Sequence, residues 1–462
     1  MKLRPYQEDI IERVRSEMRA GTRKILICAP TGSGKTALTA HMLKAAAEKG
    51  MRSWFMVHRR ELIEQSITAF DNIKIRFGVS SAGYISEPDP LVQICSVQSM
   101  RTRHSGLKKP KLIVWDECHH CGAKTWEDIF NYYSDSFHIG LTATPVRTDG
   151  KGLGKFFDTI IEGPSVSDLI DMEYLSPYKL YAPNNPDLSG VHTRMGDFVK
   201  SELVEAMNKP TITGSAIKEY RRHADGKRAV VFCVSVQHAE SVCDEFNRKG
   251  IRAEILHGKL DRYERDATID RFRCGETPIL VTIDIVSEGF DIPAMECAIL
   301  LRPTHSLGLY LQQVGRVLRI FPGKENAIIL DHAGNAGKHG LPDESREWSL
   351  AGRERRVQKK DTGPSIKICT SCFAAQQSGS TVCKFCGYSF PTKPRKIEEV
   401  DGELVEVDPT KLRMKRKQEQ GMARTRDELL ALAKQRGYKN PHGWVHMIMQ
   451  SRQRKKLRGG TR

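Results

Sequence analysis

Ala29-Pro30-Thr31-Gly32-Ser33-Gly34-Lys35-Thr36 follows the apolar run Ile25-Leu26-Ile27-Cys28 and leads into a helix-compatible stretch. A loop of this composition, delivered by a strand, can hold phosphate. Backbone N–H groups close around the oxygens at Gly32, Ser33 and Gly34, Lys35 reaches the β and γ phosphates, and the Thr36 hydroxyl can ligate Mg²⁺. Ala29 stands where the general pattern has its first glycine, which leaves the turn to Gly32 and Gly34. The bland alternative is a Gly/Ser connector between a strand and a helix. The Lys-Thr pair argues against it, because it sits where a nucleotide needs it.

Leu112-Ile113-Val114-Trp115 is a second apolar run, and it ends in Asp116-Glu117. Carboxylates at the end of a strand line the ligand crevice of a parallel sheet. Asp116 can hold Mg²⁺ there, usually through its water shell, and Glu117 can orient and polarise an attacking water. Taken alone the pair could equally be a solvated turn; the upstream loop favours the chemical reading. Cys118-His119-His120-Cys121 follows at once. Four adjacent residues cannot all turn onto one tetrahedral ion without severe backbone strain, so this is not read as a metal site. His119 is expected to hydrogen-bond across the site and sense nucleotide state, with His120 and Cys121 structural.

A separate constellation, Cys369, Cys372, Cys383 and Cys386, has the spacing C-x₂-C-x₁₀-C-x₂-C. Two such knuckles can clasp one tetrahedral ion, and four thiolates favour structural Zn²⁺ with no open position. An iron–sulfur cluster or free thiols are the lesser alternatives. Lys367, Phe373, Lys384, Phe385 and Tyr388 accompany the cysteines. They can stack bases and touch phosphate, or the aromatics can form the small core that the metal staples.

The elements that must position these groups read as alternating strands and helices. Strands are expected at Ile25–Ala29, Trp54–Val57, Val92–Ser96, Leu112–Trp115 and Ile139–Thr142. A second series follows at Ala229–Val234, Ala253–Leu256, Ile279–Thr282, Cys297–Leu301 and Ala327–Leu330. Helix patterns lie between them at Arg60–Phe70, Ala239–Arg248, Arg262–Phe272 and Leu307–Leu318. Such alternation implies an α/β protein with two doubly wound parallel-sheet lobes. The expected domains are residues 1–175, 176–345, a polar linker 346–365, the four-cysteine module 366–391 and a basic tail 392–462. In the tail, Thr425-Arg426-Asp427-Glu428 is a capping box that opens a helix stopped by Gly437. Asn440-Pro441 suits the start of a second helix through Met449.

With these pieces in order, the chain resembles the superfamily 2 helicases of DExH type. Asp116-Glu117-Cys118-His119 looks like their DExH box, and Arg4-Pro5-Tyr6-Gln7 resembles the Q motif, whose Gln7 would read the adenine edge. Val57-His58-Arg59-Arg60-Glu61-Leu62 looks like motif Ia, Ser96-Val97-Gln98-Ser99 like the next strand-binding motif, and Thr142-Ala143-Thr144 like motif III. Val231-Phe232-Cys233 with Ser235 resembles motif IV, and Ser287-Glu288-Gly289-Phe290-Asp291 motif V. Gln312-Gln313-Val314-Gly315-Arg316-Val317-Leu318-Arg319 resembles motif VI. Gln313 and Leu318 depart from its commonest form, and this argues against the DEAD-box RNA helicases. Leu301-Arg302-Pro303-Thr304, Leu330–Asn335 and the cysteine module look like RadD-like repair helicases and phage-encoded relatives.

The resemblance implies RecA-like lobes, ATP and Mg²⁺ as ligands, and nucleotide contacts from Gly289 and Asp291. It also implies strand contacts from Arg59, Gln98, Thr142, Ser235, His257 and Thr282. Phosphoryl transfer needs positioning and charge neutralisation more than covalent chemistry. Lys35, Thr36, Asp116 and Glu117 would face the nucleotide from the first lobe, with Arg316 and Arg319 across the cleft as arginine fingers. An exposed amphipathic helix face is the plain alternative for the two arginines.

The formal net charge is +17, and residues 411–462 carry sixteen Lys/Arg against three Asp/Glu. So uneven a charge is the footprint of a polyanion partner, with Lys411–Lys417 and Arg452–Arg458 as a phosphate-contacting arm. No apolar run reaches the ~18 residues a membrane span needs, and the opening Met1–Pro5 is not of signal-peptide type. Scattered cysteines beside a clustered quartet suit a reducing compartment. The expectation is an intracellular, cytoplasmic protein of bacterial or phage type that hydrolyses ATP to move on, unwind or remodel DNA, possible partners being replication or repair proteins. Three rivals remain: an RNA helicase of the same superfamily, an ATP-switched zinc-ribbon binding protein that does not unwind, and the motor subunit of a restriction system. No nuclease motif is apparent.

Overall fold

The computed structural model describes residues 2–84, 90–104, 107–147, 150–182, 193–194, 197–198, 210–258, 260–283, 295–351, 366–369, 372, 374–377, 380–390, 419–420, 422–423, 425–435, 445 and 448–449. The chain divides into two units, Met1–Thr392 and Lys393–Arg462.

In the first unit the strands are β1 (Lys24–Cys28), β2 (Ser53–Val57), β3 (Phe77–Ser80), β4 (Val92–Ser96), β5 (Leu112–Trp115), β6 (Phe137–Thr142) and β7 (Thr159–Glu162). They form one seven-stranded sheet in the order β3-β4-β2-β5-β6-β1-β7. After β8 (Tyr178–Tyr181) and the two-residue pair β9 (Thr193–Arg194) and β10 (Asp197–Phe198) come β11 (Ala229–Phe232), β12 (Ala253–Leu256), β13 (Ile279–Thr282), β14 (Cys297–Leu300) and β15 (Ala327–Asp331). These build a six-stranded sheet in the order β12-β13-β11-β14-β15-β8. Every pairing in the two large sheets is parallel. The α/β architecture of two parallel lobes is therefore as the alternating pattern implied.

The strands read as unbroken apolar runs because both faces of each sheet are covered. Alternate side chains go to opposite layers. Ile25, Ile27, Phe55, Val57, Leu112 and Val114 pack under the helices Pro5–Arg19, Lys35–Glu48 and Arg60–Asn72. Leu26, Trp54, Met56, Ile113 and Trp115 pack on the other face, with Trp126, Phe130, Phe156 and Phe157. The second sheet repeats this, with Val230 and Phe232 on one side and Ala229 and Val231 on the other.

The helix Val166–Asp171 follows β7, and its Leu169, with Leu175, packs into the second lobe's core. The cysteine module is built on the antiparallel pair β16 (Ile366–Ile368) and β17 (Ala375–Gln377). It joins the second sheet through a bridge between Tyr181 and Ala374, and Ile366 and Ala375 share that lobe's core.

In the second unit the helix Arg426–Gln435 starts as the capping box predicts. Glu428 N–H donates to Thr425 Oγ1 at 3.2 Å, and Thr425 N–H donates to the Glu428 carboxylate at 3.1 Å. Most of the expected second helix, and both basic runs, lie outside the described residues. Among the described residues no helix is long and apolar enough to cross a membrane.

Candidate nucleotide cleft and thiol ribbon

The candidate groups of the first lobe stand at the carboxyl ends of β1, β5 and β6, where a parallel sheet opens its ligand crevice. β1 delivers the phosphate loop. Gly34 sits in the left-handed region (φ 76°) as the N-cap of the helix Lys35–Glu48, so the first N–H groups of that helix point into the loop. A Cβ on Gly34 would meet the Gln7 amide nitrogen at 2.6 Å. Gln7 is buried and braces the loop from below: its Nε2 donates to the carbonyls of Ser33 (3.0 Å) and Gly34 (3.3 Å), while its Oε1 accepts from Arg4 N–H (2.9 Å). An adenine-reading role would require that amide to release one of these bonds. Lys35 Nζ donates to the carbonyls of Ala29 (3.0 Å) and Pro30 (3.3 Å), a self-satisfied position from which phosphate oxygens could draw it. The Ser33 side chain is buried, and its hydroxyl has no partner among the described residues.

β5 delivers Asp116 and Glu117, both nearly buried. Burial, followed by repulsion from Glu117, pushes the Asp116 carboxyl up to about 6. A cation beside it is what would keep it ionised at lower pH. Glu117 has left-handed backbone angles (φ 46°, ψ 50°), unusual for a residue other than Gly, Asn or Asp. Its carboxylate lies 3.3 Å from His119 Nδ1, which in turn lies 3.3 Å from Thr142 Oγ1. Thr142 donates to Thr144 O at 2.8 Å. Cys118 and Cys121 are fully buried among the aromatic side chains of the lobe, and burial pushes both thiols well up.

The second lobe meets this edge through the helix Leu307–Val317, which Ser306 caps by accepting from Leu309 N–H. Its approach is close. A Cβ on Gly315 would lie 2.6 Å from Thr31 of the phosphate loop, and one on Gly308 would lie 2.8 Å from Thr144 Oγ1. Arg316 is buried beside Gly315. The helix ends at Val317, earlier than the predicted Leu318, so Arg319 stands on the turn that follows. The Arg319 stem comes within 3.8 Å of where a Cβ on Gly32 would be. Burial lowers the Arg319 guanidinium to about 10, so it stays a cation at neutral pH.

Lys324 fixes that turn. Its Nζ donates to the carbonyls of Arg319 (2.8 Å), Met295 (2.9 Å) and Val317. Ser176 N–H donates to Leu318 O at 2.7 Å. Nothing in the local sequence marks Lys324 or Ser176, because their partners are backbone carbonyls, which carry no residue signature. Farther along the cleft, Arg265 and Glu61 form an ion pair between the lobes at 2.7 Å.

The groups expected to touch a strand separate into two sets. Gln98 is exposed, Arg59, Ser235 and His257 are half-buried, and all four keep reachable surface. Ser235 also caps the helix Val236–Arg248 by accepting from His238 N–H at 3.1 Å. Thr142 and Thr282 are fully buried in this conformation, unlike the other four. Both lie in the sheets themselves, as the last residues of β6 and β13, paired with Cys28 of β1 and with Phe232 of β11 and Leu256 of β12 respectively. Gly289 and Asp291 lie outside the described residues.

The four thiols converge. Cys369 and Cys386 sulfurs are 3.6 Å apart, as are those of Cys372 and Cys383, and all four lie within 4.8 Å of one another. Four ligands at ~2.3 Å from a tetrahedral Zn²⁺ have sulfurs about 3.7 Å apart, so this donor set fits that ion. Gly387 (φ 72°) closes the second knuckle by donating its N–H to Cys383 O at 3.0 Å. Burial raises the Cys383 thiol, but N–H groups of Phe385 and Cys386 and the neighbouring thiols outweigh it and bring it to about 7.

Two parallel sheets meeting over a phosphate loop, with acids on one side and arginines on the other, define an ATP-driven motor core. A family model described as Type III restriction enzyme, res subunit, matches residues 1–147, and one described as Helicase conserved C-terminal domain matches residues 212–321. A 51.5 kDa protein of a Lactococcus phage is 36% identical over 395 residues, 84% of each chain. IRC3 of Saccharomyces cerevisiae, named as an ATP-dependent helicase, is 29% identical over 72% of this chain, which spans about half (51%) of that protein. A solved fragment of an HsdR subunit of a type I restriction enzyme from Vibrio vulnificus has the same fold, with a TM-score of 0.58 and 23% identity, over 73% of this chain and 67% of that one. The chain belongs to the superfamily 2 helicases, in the branch that includes restriction-enzyme motor subunits, and it is an ATP-dependent helicase.

Proposed function

We propose that this helicase acts on DNA, moving along it or remodelling it by opening and closing the cleft between its lobes. The observation that carries the reading is the approach of Gly315 to Thr31, which brings the arginine-bearing segment onto the phosphate loop. Lys35 would leave the Ala29 and Pro30 carbonyls for the β and γ phosphates. Thr36 and Asp116 would hold Mg²⁺, which supplies charge neutralisation on the phosphates. Glu117 would orient the attacking water, and Arg316 and Arg319 would stabilise charge on the transferring group. Gly289 and Asp291, outside the described residues, would complete the nucleotide site. Arg59, Gln98, Ser235 and His257 would grip the strand, and hydrolysis would release one lobe's hold relative to the other's.

DNA is favoured over RNA because the first-lobe family is that of a restriction-enzyme subunit. A further relative from Sulfurisphaera tokodaii, 25% identical over 69% of this chain, is named a DNA 3'-5' translocase. The test is the ATPase rate with single-stranded, duplex and forked DNA and with RNA, joined to strand displacement on the fork. Stronger stimulation by RNA than by any DNA would defeat the DNA assignment.

The thiol ribbon would hold structural Zn²⁺ through Cys369, Cys372, Cys383 and Cys386. The basic runs Lys411–Lys417 and Arg452–Arg458 would add phosphate contacts, and the protein would work inside the cell. Truncation at residue 410 should weaken DNA binding and flatten its salt dependence, since each lost phosphate contact removes counterion release. An unchanged slope would count against the arm.

A further inference from the structure

The half-buried His58 and His120 are distant in sequence, His120 directly following Asp116–His119, yet their rings meet. Their centroids are 4.6 Å apart, and the His120 ring lies 4.2 Å from that of His119. Trp126 stands behind both His58 and His120 at 6.4 Å, and Trp126 is itself stacked on Trp115 at 5.3 Å. His58 and His120 thus rest on an indole wall, with His119 against His120, in a close-packed layer where a displaced ring is transmitted rather than absorbed.

The two ends of this row are the informative part. At one end, Gln98 Nε2 donates to His58 O at 3.0 Å, while Gln98 Oε1 accepts from Ser96 Oγ at 3.0 Å. Gln98 is exposed and Arg59 is the next residue, so a strand seated on these two pulls directly on the peptide of His58. At the other end, His119 contacts the Glu117 carboxylate, and His120 N–H donates to Glu117 O at 3.1 Å. Glu117 holds left-handed backbone angles that persist only where the surroundings impose them. The His120 peptide is one of those restraints, so a shift of His120 re-aims the Glu117 carboxylate.

We propose that His58 and His120 are positioning residues that carry strand occupancy at Arg59 and Gln98 to Glu117, so that nucleic acid accelerates ATP hydrolysis. The inference rests on the strand and water-orienting roles proposed above. Both imidazoles act through their neighbours.

The experiment compares basal and strand-stimulated ATPase of the full chain, with a single-stranded DNA oligonucleotide as the probe. His120→Ala should keep its basal kcat and its oligonucleotide Kd within about twofold, while the stimulation ratio falls about tenfold, the usual size of a coupling between sites. His120→Phe, which retains a ring on the indole wall, should recover part of the ratio. In the Gln98→Ala/His120→Ala double variant the loss of stimulation should be no greater than in the worse single variant. An unchanged ratio in His120→Ala, an equal fall of basal and stimulated rates, or additive losses in the double variant would overturn the inference. A parent protein that no strand stimulates would overturn it together with the strand assignment, whereas a stimulated parent with an indifferent His120→Ala overturns the coupling alone.

Discussion

The two lobes are built alike but carry their candidate groups differently. In the first, Asp116, Glu117 and Thr142 sit at or just beyond the ends of β5 and β6, where a buried sheet fixes them directly, and Lys35 opens the helix that follows the loop after β1. In the second, Arg316 lies in the last turn of a helix and Arg319 on the turn beyond it, held by Lys324 and Ser176. Strand-end groups are preorganised before any ligand arrives. Helix-end groups become useful only when the lobes approach, which suits an element that must engage and release in each cycle.

Four substitutions or conditions would break or sharpen this contrast. Lys35→Ala should have the largest effect, a loss of turnover of about 10³-fold or more, because it removes the fixed charge at the phosphates; retained hydrolysis would refute the site. Gly315→Val should cost about 10²-fold in kcat, since a side chain must displace Thr31 and hold the lobes apart. The ATP dissociation constant should move far less, as the first lobe's loop is intact. Lys324→Met should reduce kcat about tenfold with KM nearly unchanged, and Lys324→Arg should restore part of it, because only the aim of Arg319 is disturbed.

The smallest effect concerns acid. His138 accepts from Trp115 Nε1 at 3.0 Å and is paired through Nε2 with Tyr133 O at 2.8 Å, and burial lowers it to about 4 from the ordinary 6.5. Burial likewise lowers His238 and His332 of the second lobe to about 4. A histidine that resists protonation in the fold contributes stability that is complete above pH ~6.5 and is lost as pH falls toward 4, up to ~3 kcal/mol each. Asp331, raised to about 6 by burial, opposes this by taking up a proton in the fold. Thermal unfolding between pH 7 and 4 should therefore show a falling melting temperature, the slope reduced in His138→Gln.

The cysteine module is a useful contrast with the cleft. Its four thiols fall within eighteen residues, from Cys369 to Cys386, so the spacing alone made the cluster legible. Cys383→Ser should bring the zinc content of the purified chain near zero while the lobes keep their unfolding transition; full zinc occupancy would contradict the four-thiolate reading. The cleft was legible only in its local parts. Strands such as Val92–Ser96 and Ala253–Leu256 fell where the apolar runs placed them, because burial on both faces leaves a continuous signature.

The edge strands β3, β7 and β8 were not read. Each is four residues long, and polar or small residues such as Gly78 and Lys179 interrupt the pattern, so pairing with a neighbour decides them. The approach of Gly315 to Thr31, the reach of Lys324 to the Met295 carbonyl and the meeting of His58 with His120 are contacts between remote segments. No local pattern encodes them. The burial of Thr142 and Thr282 was not legible for the same reason, as a motif position does not report burial.

The most direct test of the shared cleft is single-turnover ATP hydrolysis by Arg316→Ala and Arg319→Ala, with nucleotide affinity measured in parallel. The arrangement predicts affinity within a few-fold of the parent and hydrolysis slower by about 10³-fold for at least one of the two, as removal of an arginine finger entails. Parental single-turnover rates in both variants would mean that the second lobe does not reach the phosphates, and the cleft assignment would fall.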